Sequence, residues 1–317
     1  MNALNHAMLL AVQAAKPFQG ATSPNPCVGA AALDANGNLL GVAAHEQAGS
    51  RHAEAKLIEE ITERGLEDSI HMILVTLEPC NHQGRTPPCT EKLLSLNHLK
   101  KVVFAVKDPN PIAQGGESRL RDAGLEIAHL PMAQATVLTQ AFCHKIKTGF
   151  PFVTVKTALD AKGSMIPPIG QKTFTQPESL KFAHELRRRA DVIVTGIGTV
   201  LADFPEFTVR NVPDHRLFPR TLVVMDRKSR TPKEWLTERE KHLTSIVWTK
   251  TPQELLEHLS HQNVLEVLLE AGPELTKTWL ASGLWNEHVE IKNDNRSAQS
   301  DQIRVITNVH GDYTKIR

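Results

Sequence analysis

The chain has few cysteines, no long apolar run and almost no net charge, and each shortage excludes a class of protein. Four cysteines in 317 residues are too few for a disulfide scaffold, so each thiol is a candidate ligand, nucleophile or packing residue. No stretch of about 18 apolar residues occurs, which argues against a membrane-spanning helix. The 36 lysines and arginines against 35 aspartates and glutamates leave a net charge of +1, without the basic face that long nucleic acids require. A small anionic substrate needs only a few placed cations and stays possible.

The N-terminal segment from Met1 to Ala15 contains no charged residue, so we considered a secretion signal. The segment has no basic region, and polar residues such as Asn5 and Gln13 interrupt it. Its apolar residues fall instead on one helical face. We therefore expect a helix that packs on the first domain of a cytoplasmic protein.

The pattern of apolar segments predicts two α/β domains. At about 150 residues per domain, the length suggests two domains. Short buried strands alternate with amphipathic helices in both halves, as in sheets that are covered by helices. The segment Lys145–Pro151 is basic, contains glycine and proline, and separates a predicted helix from a new strand at Phe152. We expect the domains to be residues 1–148 and 149–317.

The sharpest chemical signal combines His52 and Glu54 with the later cysteines Cys80 and Cys89. Zinc prefers nitrogen and sulfur ligands in a tetrahedral set, and a catalytic site leaves one position for water. One histidine and two cysteines supply three ligands, and a nearby carboxylate can move a proton from the activated water to a leaving amine. The pattern matches the H-x-E…P-C-x-x-C signature of zinc deaminases, except that eight residues, 81–88, separate the cysteines.

Two buried thiols near an unrelated histidine would be the ordinary alternative. The predicted secondary structure argues against it, because His52 and Glu54 open a predicted helix and Cys80 follows a buried strand. The other cysteines, Cys27 and Cys143, have no such setting, and we expect them to serve as packing residues.

The residues around these ligands resemble one enzyme family. The run TLEPCNHQGRTPPC at 76–89 is similar to the deaminase half of the bifunctional riboflavin-biosynthesis deaminase/reductases, and so are PNPCVG at 24–29 and DPNP at 108–111. The long spacing between the cysteines, with its GRTPP sequence, separates this family from cytidine and tRNA deaminases. The resemblance implies a cytidine-deaminase-like α/β/α domain. Its reaction replaces the 2-amino group of a diaminopyrimidinone ribosylamine 5′-phosphate with oxygen and releases ammonia.

The resemblance also implies roles for individual residues. The three zinc ligands and the Glu54 proton shuttle keep the roles given above. Asn25 would hydrogen-bond the pyrimidine, and His45 would line the same pocket. Arg85, in the insert between the cysteines, would contact the substrate phosphate, with a surface salt bridge as the alternative. His82 could touch the substrate, but we do not expect it to bind metal.

The second half resembles the dihydrofolate-reductase-like NADPH domain of the same family, which reduces the ribose of the deaminated product to a ribityl chain. The similar segments are FVTVK at 152–156, GTVLAD at 198–203, TVR at 208–210 and EAGP at 270–273. In the last of these segments, Gly272 permits close backbone approach, and the N-terminus of the following helix can meet the phosphates of the cofactor.

By resemblance, a further set of residues is expected to bind the cofactor and the substrate in this half. The expected NADPH contacts are Ala158, Thr199, Asp203 and Gly272. The expected substrate contacts are Arg187, Arg210 and Glu270, and the arginines suit its phosphate. Arg187 belongs to the run Arg187–Arg189 at the end of a helix that we expect to open with a capping box at Thr175. We expect two of these three consecutive arginines to lie on a solvated face.

The second half also departs from the family pattern. The family's S-L-D-G appears as LDAKG at 159–163, and the second aspartate of its A-D-D-P is Phe204. Near the end the chain is expected to keep only a short strand at 288–291, followed by a polar stretch at 293–300. A polar stretch has too little apolar surface to pack like the family's apolar segment. The resemblance therefore implies a shortened reductase half.

Three functional hypotheses remain at this point. The first is a zinc-dependent pyrimidine deaminase of riboflavin biosynthesis with an NADPH-dependent reductase domain, which the family's usual assemblies suggest is a homo-oligomer. The second is a deaminase alone, with a degenerate second domain that serves for binding or oligomerisation. The third is a zinc deaminase of nucleosides or tRNA, against which the small net charge and the long insert both count.

Overall fold

The fold consists of two compact units, residues Met1–Lys147 and Thr148–Arg317. The structure is a computed structural model that describes residues 2–83, 87–113, 115–166, 173, 175–293 and 301–308. Each unit contains one β-sheet.

The first unit contains a five-stranded sheet in the order β2-β1-β3-β4-β5. Its strands are β1 (Gly29–Leu33), β2 (Leu39–Ala44), β3 (Met72–Val75), β4 (Lys101–Phe104) and β5 (Glu126–His129). Its helices are α1 (Ala3–Ala15), α2 (Ala53–Glu63), α3 (Cys89–Leu94), α4 (Gly116–Asp122) and α5 (Ala133–Thr148). β1 is antiparallel to β2 and β3, and the remaining strands are parallel.

Small residues bring the N-terminal helix close to this sheet. β1 has the sequence GAAAL and is fully buried. A Cβ atom at Gly29 would lie 1.9 Å from the carbonyl oxygen of Ala11, so only glycine permits this approach. The prediction of a packed N-terminal helix is confirmed, because α1 buries Met8, Ala11 and Val12 in the core of this unit.

The second unit contains a seven-stranded sheet in the order β12-β11-β6-β10-β7-β8-β9. Its strands are β6 (Phe152–Leu159), β7 (Val192–Gly196), β8 (Arg220–Met225), β9 (Leu243–Trp248), β10 (Glu266–Glu270), β11 (Glu287–Lys292) and β12 (Gln302–Thr307). Its helices are α6 (Pro177–Arg189), α7 (Ile197–Asp203), α8 (Lys233–Arg239), α9 (Pro252–Ser260) and α10 (Pro273–Ser282). All neighbouring strands are parallel except β11 and β12.

The central parallel strands β7 and β10 are buried along their whole length, as expected of a parallel sheet that is covered on both faces. Val153 and Val267 belong to one core cluster, and Ile193 and Leu268 belong to another. The carboxyl ends of β6, β10 and β7 meet at one edge. Ligands of open parallel sheets bind outside this edge, so it is the place to look for a site.

Two details of the second unit differ from the sequence expectations. Thr175 does not cap α6: the N-cap is Gln176, without a side-chain hydrogen bond. Its N–H instead donates to Oδ2 of Asp301 at 2.8 Å, so a tertiary contact replaces the local cap. The sequence predicted one short strand in this region, at 288–291. The structure has a further strand, β12, which pairs with β11 along its whole length.

Candidate functional site

His52, Cys80 and Cys89 come together in the first unit. Nδ1 of His52 lies 3.2 Å from Sγ of Cys89 and 3.6 Å from Sγ of Cys80, and the three ligand atoms all lie within 4.8 Å of one another. Tetrahedral zinc, with bonds of about 2.1 Å to nitrogen and 2.3 Å to sulfur, would hold such a pair of atoms roughly 3.6 Å apart. The residue types and their spacing therefore fit a zinc ion.

Three element ends position these ligands. His52 is the N-cap of α2, Cys80 follows β3, and Cys89 is the first residue of α3. The backbone N–H of Cys89 points to Sγ of Cys80 at 3.4 Å. The hydrogen bond from the Cys89 thiol is the main reason that the pKa of Cys80 is lowered to about 4, and burial opposes this effect. Cys80 is thus predisposed to the thiolate form that binds zinc.

Glu54 lies in the first turn of α2, two residues after His52, and is 3% exposed. Burial, and next the negative charge at Cys80, raise the pKa of the Glu54 carboxyl group. A raised pKa makes the carboxylate a stronger base and brings its pKa closer to neutral pH, where a proton shuttle has to be able to hold and release a proton.

A cavity of about 160 Å³ opens beside this cluster. Its polar lining includes Asn25, His45, Glu54, Glu78, His82 and Asp108. In the buried His45, Nδ1 donates to the carbonyl oxygen of Arg51 at 3.0 Å, which leaves Nε2 as an acceptor 3.5 Å from Nδ2 of Asn25. Burial lowers the pKa of His45, so the neutral ring orients the Asn25 amide.

Sequence reasoning missed part of this cavity. Glu78, Asp108 and Asn110 line it but were not among the predicted site residues. The DPNP segment at 108–111 and Glu78, within the run at 76–89, were both part of the family resemblance, but the sequence analysis gave neither of them a role. Within the described part of the chain, Nδ1 of His82 is buried and has no hydrogen-bond partner. Arg85 lies outside the described residues.

A second polar cluster lies at the carboxyl edge of the sheet in the second unit. Nε of Arg187 donates to Oε2 of Glu270 at 2.6 Å, and Nζ of Lys156 lies 3.8 Å from Oε1 of the same residue. Glu270 is 7% exposed. Burial is the largest single influence on its pKa and raises it, but Arg187 and Lys156 together outweigh burial, so the pKa of Glu270 is lowered. Burial lowers the pKa of Lys156. Lys156 was not predicted, although it is the only charged residue in the strand sequence FVTVKTAL.

Arg187 and Arg210, the predicted phosphate ligands of this unit, differ in how far they are exposed. Arg187 is half-buried, and its Nη1 donates to the carbonyl oxygen of Thr208 at 3.2 Å. Arg210 is exposed and its guanidinium group contacts Glu206. The backbone N–H of Arg210 donates to Nδ1 of His184 at 2.9 Å.

The expectation that two of the three consecutive arginines are solvated is wrong. Arg188 is only 5% exposed. Arg189 is bound in the interior by Glu266 at 2.6 Å and by Glu287 at 2.7 Å. These carboxylates on β10 and β11 make the burial of a guanidinium group possible, because a buried charge needs partners.

The predicted cofactor residues surround the same edge of the sheet. Oγ1 of Thr199, in the first turn of α7, accepts the N–H of Gly272, the N-cap of α10, at 2.8 Å. Gly272 has no side chain that could cap α10, and Pro273 has no N–H, so the N–H groups of Glu274 and Leu275 are the ones at this helix start that suit a phosphate. Ala158 is half-buried on β6, and Asp203 is exposed at the end of α7. The start of α10 is therefore a candidate position for a phosphate group.

Comparison with known proteins gives the same two-part division. Residues 1–106 match the cytidine and deoxycytidylate deaminase zinc-binding region, and residues 151–290 match the RibD C-terminal domain. The chain is 36% identical over 290 residues to the riboflavin biosynthesis protein RibD of Mycobacterium tuberculosis, covering 90% of this chain and 84% of that protein. It is 36% identical over 266 residues to RibD of Aquifex aeolicus, covering 83% of this chain and 73% of that protein.

A solved structure agrees with these relatives. The crystal structure of a diaminohydroxyphosphoribosylaminopyrimidine deaminase/5-amino-6-(5-phosphoribosylamino)uracil reductase from Thermotoga maritima matches with a TM-score of 0.81 at 25% identity. The match covers 94% of this chain and 88% of that one. The predicted fold class, a cytidine-deaminase-like domain followed by a reductase domain, is confirmed. Among the described residues, no helix has the length and apolar character needed to span a membrane.

Proposed function

The chain belongs to the RibD family of riboflavin biosynthesis, and we propose which of its residues carry the family's two reactions. It is a zinc-dependent deaminase joined to an NADPH-dependent reductase, and it acts on a phosphorylated pyrimidine. Both halves match their own family models, which supports the first of the three hypotheses over a deaminase alone or a nucleoside or tRNA deaminase.

In the first unit, His52, Cys80 and Cys89 would hold zinc, which when bound lowers the pKa of a water molecule. Glu54 would take a proton from that water and return it to the 2-amino nitrogen, which leaves as ammonia. Asn25 would hydrogen-bond the pyrimidine, held in place by the neutral ring of His45.

In the second unit, Glu270 and its two cationic neighbours would form the reducing site. NADPH supplies the hydride when bound, and the opening of the ribose ring also requires a proton at the ring oxygen. The buried Lys156, beside Glu270, is positioned to hold that proton. Arg187 would orient Glu270, and the exposed guanidinium of Arg210 would bind the substrate phosphate.

The cofactor would bind at the same edge of the sheet. Its phosphates would meet Gly272 and the start of α10, with Thr199 fixing Gly272 and with Ala158 and Asp203 nearby. Arg85 would contact the phosphate of the deaminase substrate.

The buried Glu54 beside the three ligand atoms is the observation that carries the proposal. Glu54→Gln should keep zinc but lower ammonia release by about 10²- to 10⁴-fold. Glu63→Gln, an exposed change at the end of the same helix, should leave turnover unchanged. Wild-type turnover in the Glu54→Gln protein would contradict the proton-shuttle role.

NADPH oxidation in the presence of the deaminated product tests the second unit. We expect turnover that depends on that product. If the deaminase works but no NADPH oxidation or binding occurs, the degenerate-module hypothesis replaces this one.

The proposal also includes a homo-oligomer without a nucleic-acid partner, located in the cytoplasm. The net charge of +1 supports the absence of nucleic acid. Four free cysteines, two of them in the ligand cluster, suit a reducing compartment. Light scattering on the purified chain measures the oligomeric state.

A further inference from the structure

The carboxylate of Glu78 connects the zinc-ligand loop to another wall of the deaminase cavity. Its Oε2 accepts the backbone N–H of Asp108 at 3.3 Å, and its Oε1 accepts the backbone N–H of Glu117 at 3.1 Å. Glu78 is 8% exposed and lies two residues before Cys80. Both carboxylate oxygens are thus used to hold backbone groups of a distant segment.

The segment that Glu78 holds forms part of the cavity lining. Asp108, Asn110 and Ala113 all line the cavity. Oδ1 of Asp108 accepts the N–H of Asn110 at 2.8 Å, and the carbonyl oxygen of Asn110 accepts the N–H of Ala113 at 3.0 Å. These hydrogen bonds within residues 108–113 hold the segment together, so the position of Asp108 determines where the rest of the segment lies.

The same wall contacts the ligand loop on the other side of Cys80. The N–H of Asn81 donates to the carbonyl oxygen of Ala113 at 3.1 Å. Oδ1 of Asn81 accepts hydrogen bonds from Thr90, at 3.0 Å, and from Arg119, at 2.9 Å. Residues on both sides of Cys80 are therefore bonded to the wall, and Glu78 contributes a buried carboxylate to this connection.

We propose that Glu78 is a positioning residue for the deamination: it fixes the wall that carries Asp108 and Asn110 relative to the zinc ligands, and so fixes where the pyrimidine binds. The inference rests on the proposed deaminase function. Two N–H donors need two acceptor oxygens, which a carboxylate provides and an amide does not. Hydrogen bonds to a charged acceptor are also about twice as strong as neutral ones.

The first test is Glu78→Gln, which keeps the shape of the side chain but turns an NH₂ group toward one of the two N–H donors. We expect KM for the diaminopyrimidinone ribosylamine 5′-phosphate to rise about tenfold or more, because one charge-assisted hydrogen bond is lost and the wall shifts. We expect kcat to change by less than about threefold and zinc content to stay at the wild-type ratio. Glu63→Gln, at the exposed end of α2, is the matched control and should change neither constant.

A second variant removes the bond without altering Glu78. Glu117→Pro deletes the N–H that Oε1 accepts, in the first turn of α4, where this N–H makes no hydrogen bond within the helix. Because the Glu117 side chain also contacts Arg121, Glu117→Ala serves as its control. We expect KM to rise in the proline variant and not in the alanine variant.

Each other outcome overturns the inference. Unchanged KM in both test variants would show that the wall does not depend on this carboxylate. A fall in kcat at constant KM would assign Glu78 to the chemistry, and a loss of zinc would assign it to the ligand loop. If the wild-type chain releases no ammonia from this substrate, the proposed function is wrong, and the inference that rests on it is overturned with it.

Discussion

A Cβ atom at Gly116 would lie 2.0 Å from the carbonyl oxygen of Pro79, the residue before Cys80. The first turn of α4 therefore presses directly on the zinc-ligand loop, at a distance that no residue with a side chain permits. The obstacle is backbone, which cannot rotate away as the end of a flexible side chain does.

Gly116→Ala should therefore displace α4 or the Cys80 loop. We expect the free energy of unfolding of the first unit to fall by about 1–3 kcal/mol, as for other overpacked positions, and zinc affinity to fall with it. Urea unfolding and zinc titration measure the two effects. Gly41→Ala is the control, since its Cβ would meet Cδ1 of Leu57 at 3.4 Å, an ordinary contact. Equal stability and zinc affinity in the two variants would contradict the prediction.

Removal of zinc should separate the two activities. A chelator, or Cys80→Ser, should abolish ammonia release, while NADPH oxidation with the deaminated product continues. The physical reason is that the ligand cluster uses only residues of the first unit. Cys143→Ser, at a cysteine outside the ligand cluster, should keep both zinc and deamination. A parallel loss of reductase turnover on chelation would show that the second unit also depends on the metal.

Glu270→Gln should damage the reductase alone. The change removes the charge that Arg187 and Lys156 both face, so we expect kcat/KM for NADPH-dependent reduction to fall about 100-fold. Two half-buried cations that lose this partner should also destabilise the second unit, by about 1–3 kcal/mol. NADPH absorbance and urea unfolding measure the two effects, and Glu234→Gln, at an exposed position of α8, is the control. An unchanged reductase rate would remove Glu270 from the proposed site.

The sequence predicted the deaminase cluster better than the reductase cluster, for a physical reason. The zinc ligands lie near the ends of helices and strands, which the periodicity of apolar residues predicts. Their side chains, one histidine and two cysteines, are also a typical set of metal ligands. Lys156 has no such local signature, because its expected role depends on a neighbour that is distant in the sequence. That neighbour is Glu270, which lies beside Lys156 only when β10 pairs with β6 in the folded sheet. Glu78 was missed for the same reason, since its partners are backbone groups 30 or more positions away.

Long-range contacts also explain the local errors. The helix start at Thr175 followed the capping rule, but the carboxylate of Asp301 satisfies the first N–H group instead. Arg189 looked like a surface residue until β10 and β11 supplied its carboxylate partners. β12 was not predicted because a polar stretch precedes it. Its stability comes from the ladder with β11, which a local pattern does not show.

The buried His184 should make the stability of the second unit depend on pH. It is surrounded by the cations Arg187, Arg210 and Lys156 and by the anion Glu270, and it is 4% exposed. Burial first, and then the nearby arginines, lower its pKa from 6.5 to about 4. The neutral ring accepts the N–H of Arg210, an interaction that a protonated ring cannot make.

The direction of this pH dependence follows from the protons that the folded and the unfolded chain bind at His184. Between pH 6.5 and about 4 the unfolded chain binds a proton at residue 184 and the folded chain does not. The contribution of His184 to the free energy of unfolding is therefore complete above pH 6.5 and is lost as the pH falls toward 4. All four tryptophans lie in the second unit, so fluorescence-detected urea unfolding reports on it.

His184→Asn separates this effect from general acid sensitivity. An asparagine oxygen can replace Nδ1 as the acceptor but does not titrate, so we expect a clearly shallower loss of stability over this pH range. His258→Asn, on the exposed face of α9, should keep the wild-type slope. If His184→Asn loses stability with acid as steeply as the wild type, the pH dependence arises from other groups. A shallower slope would show that the ring holding Arg210 is neutral in the folded chain.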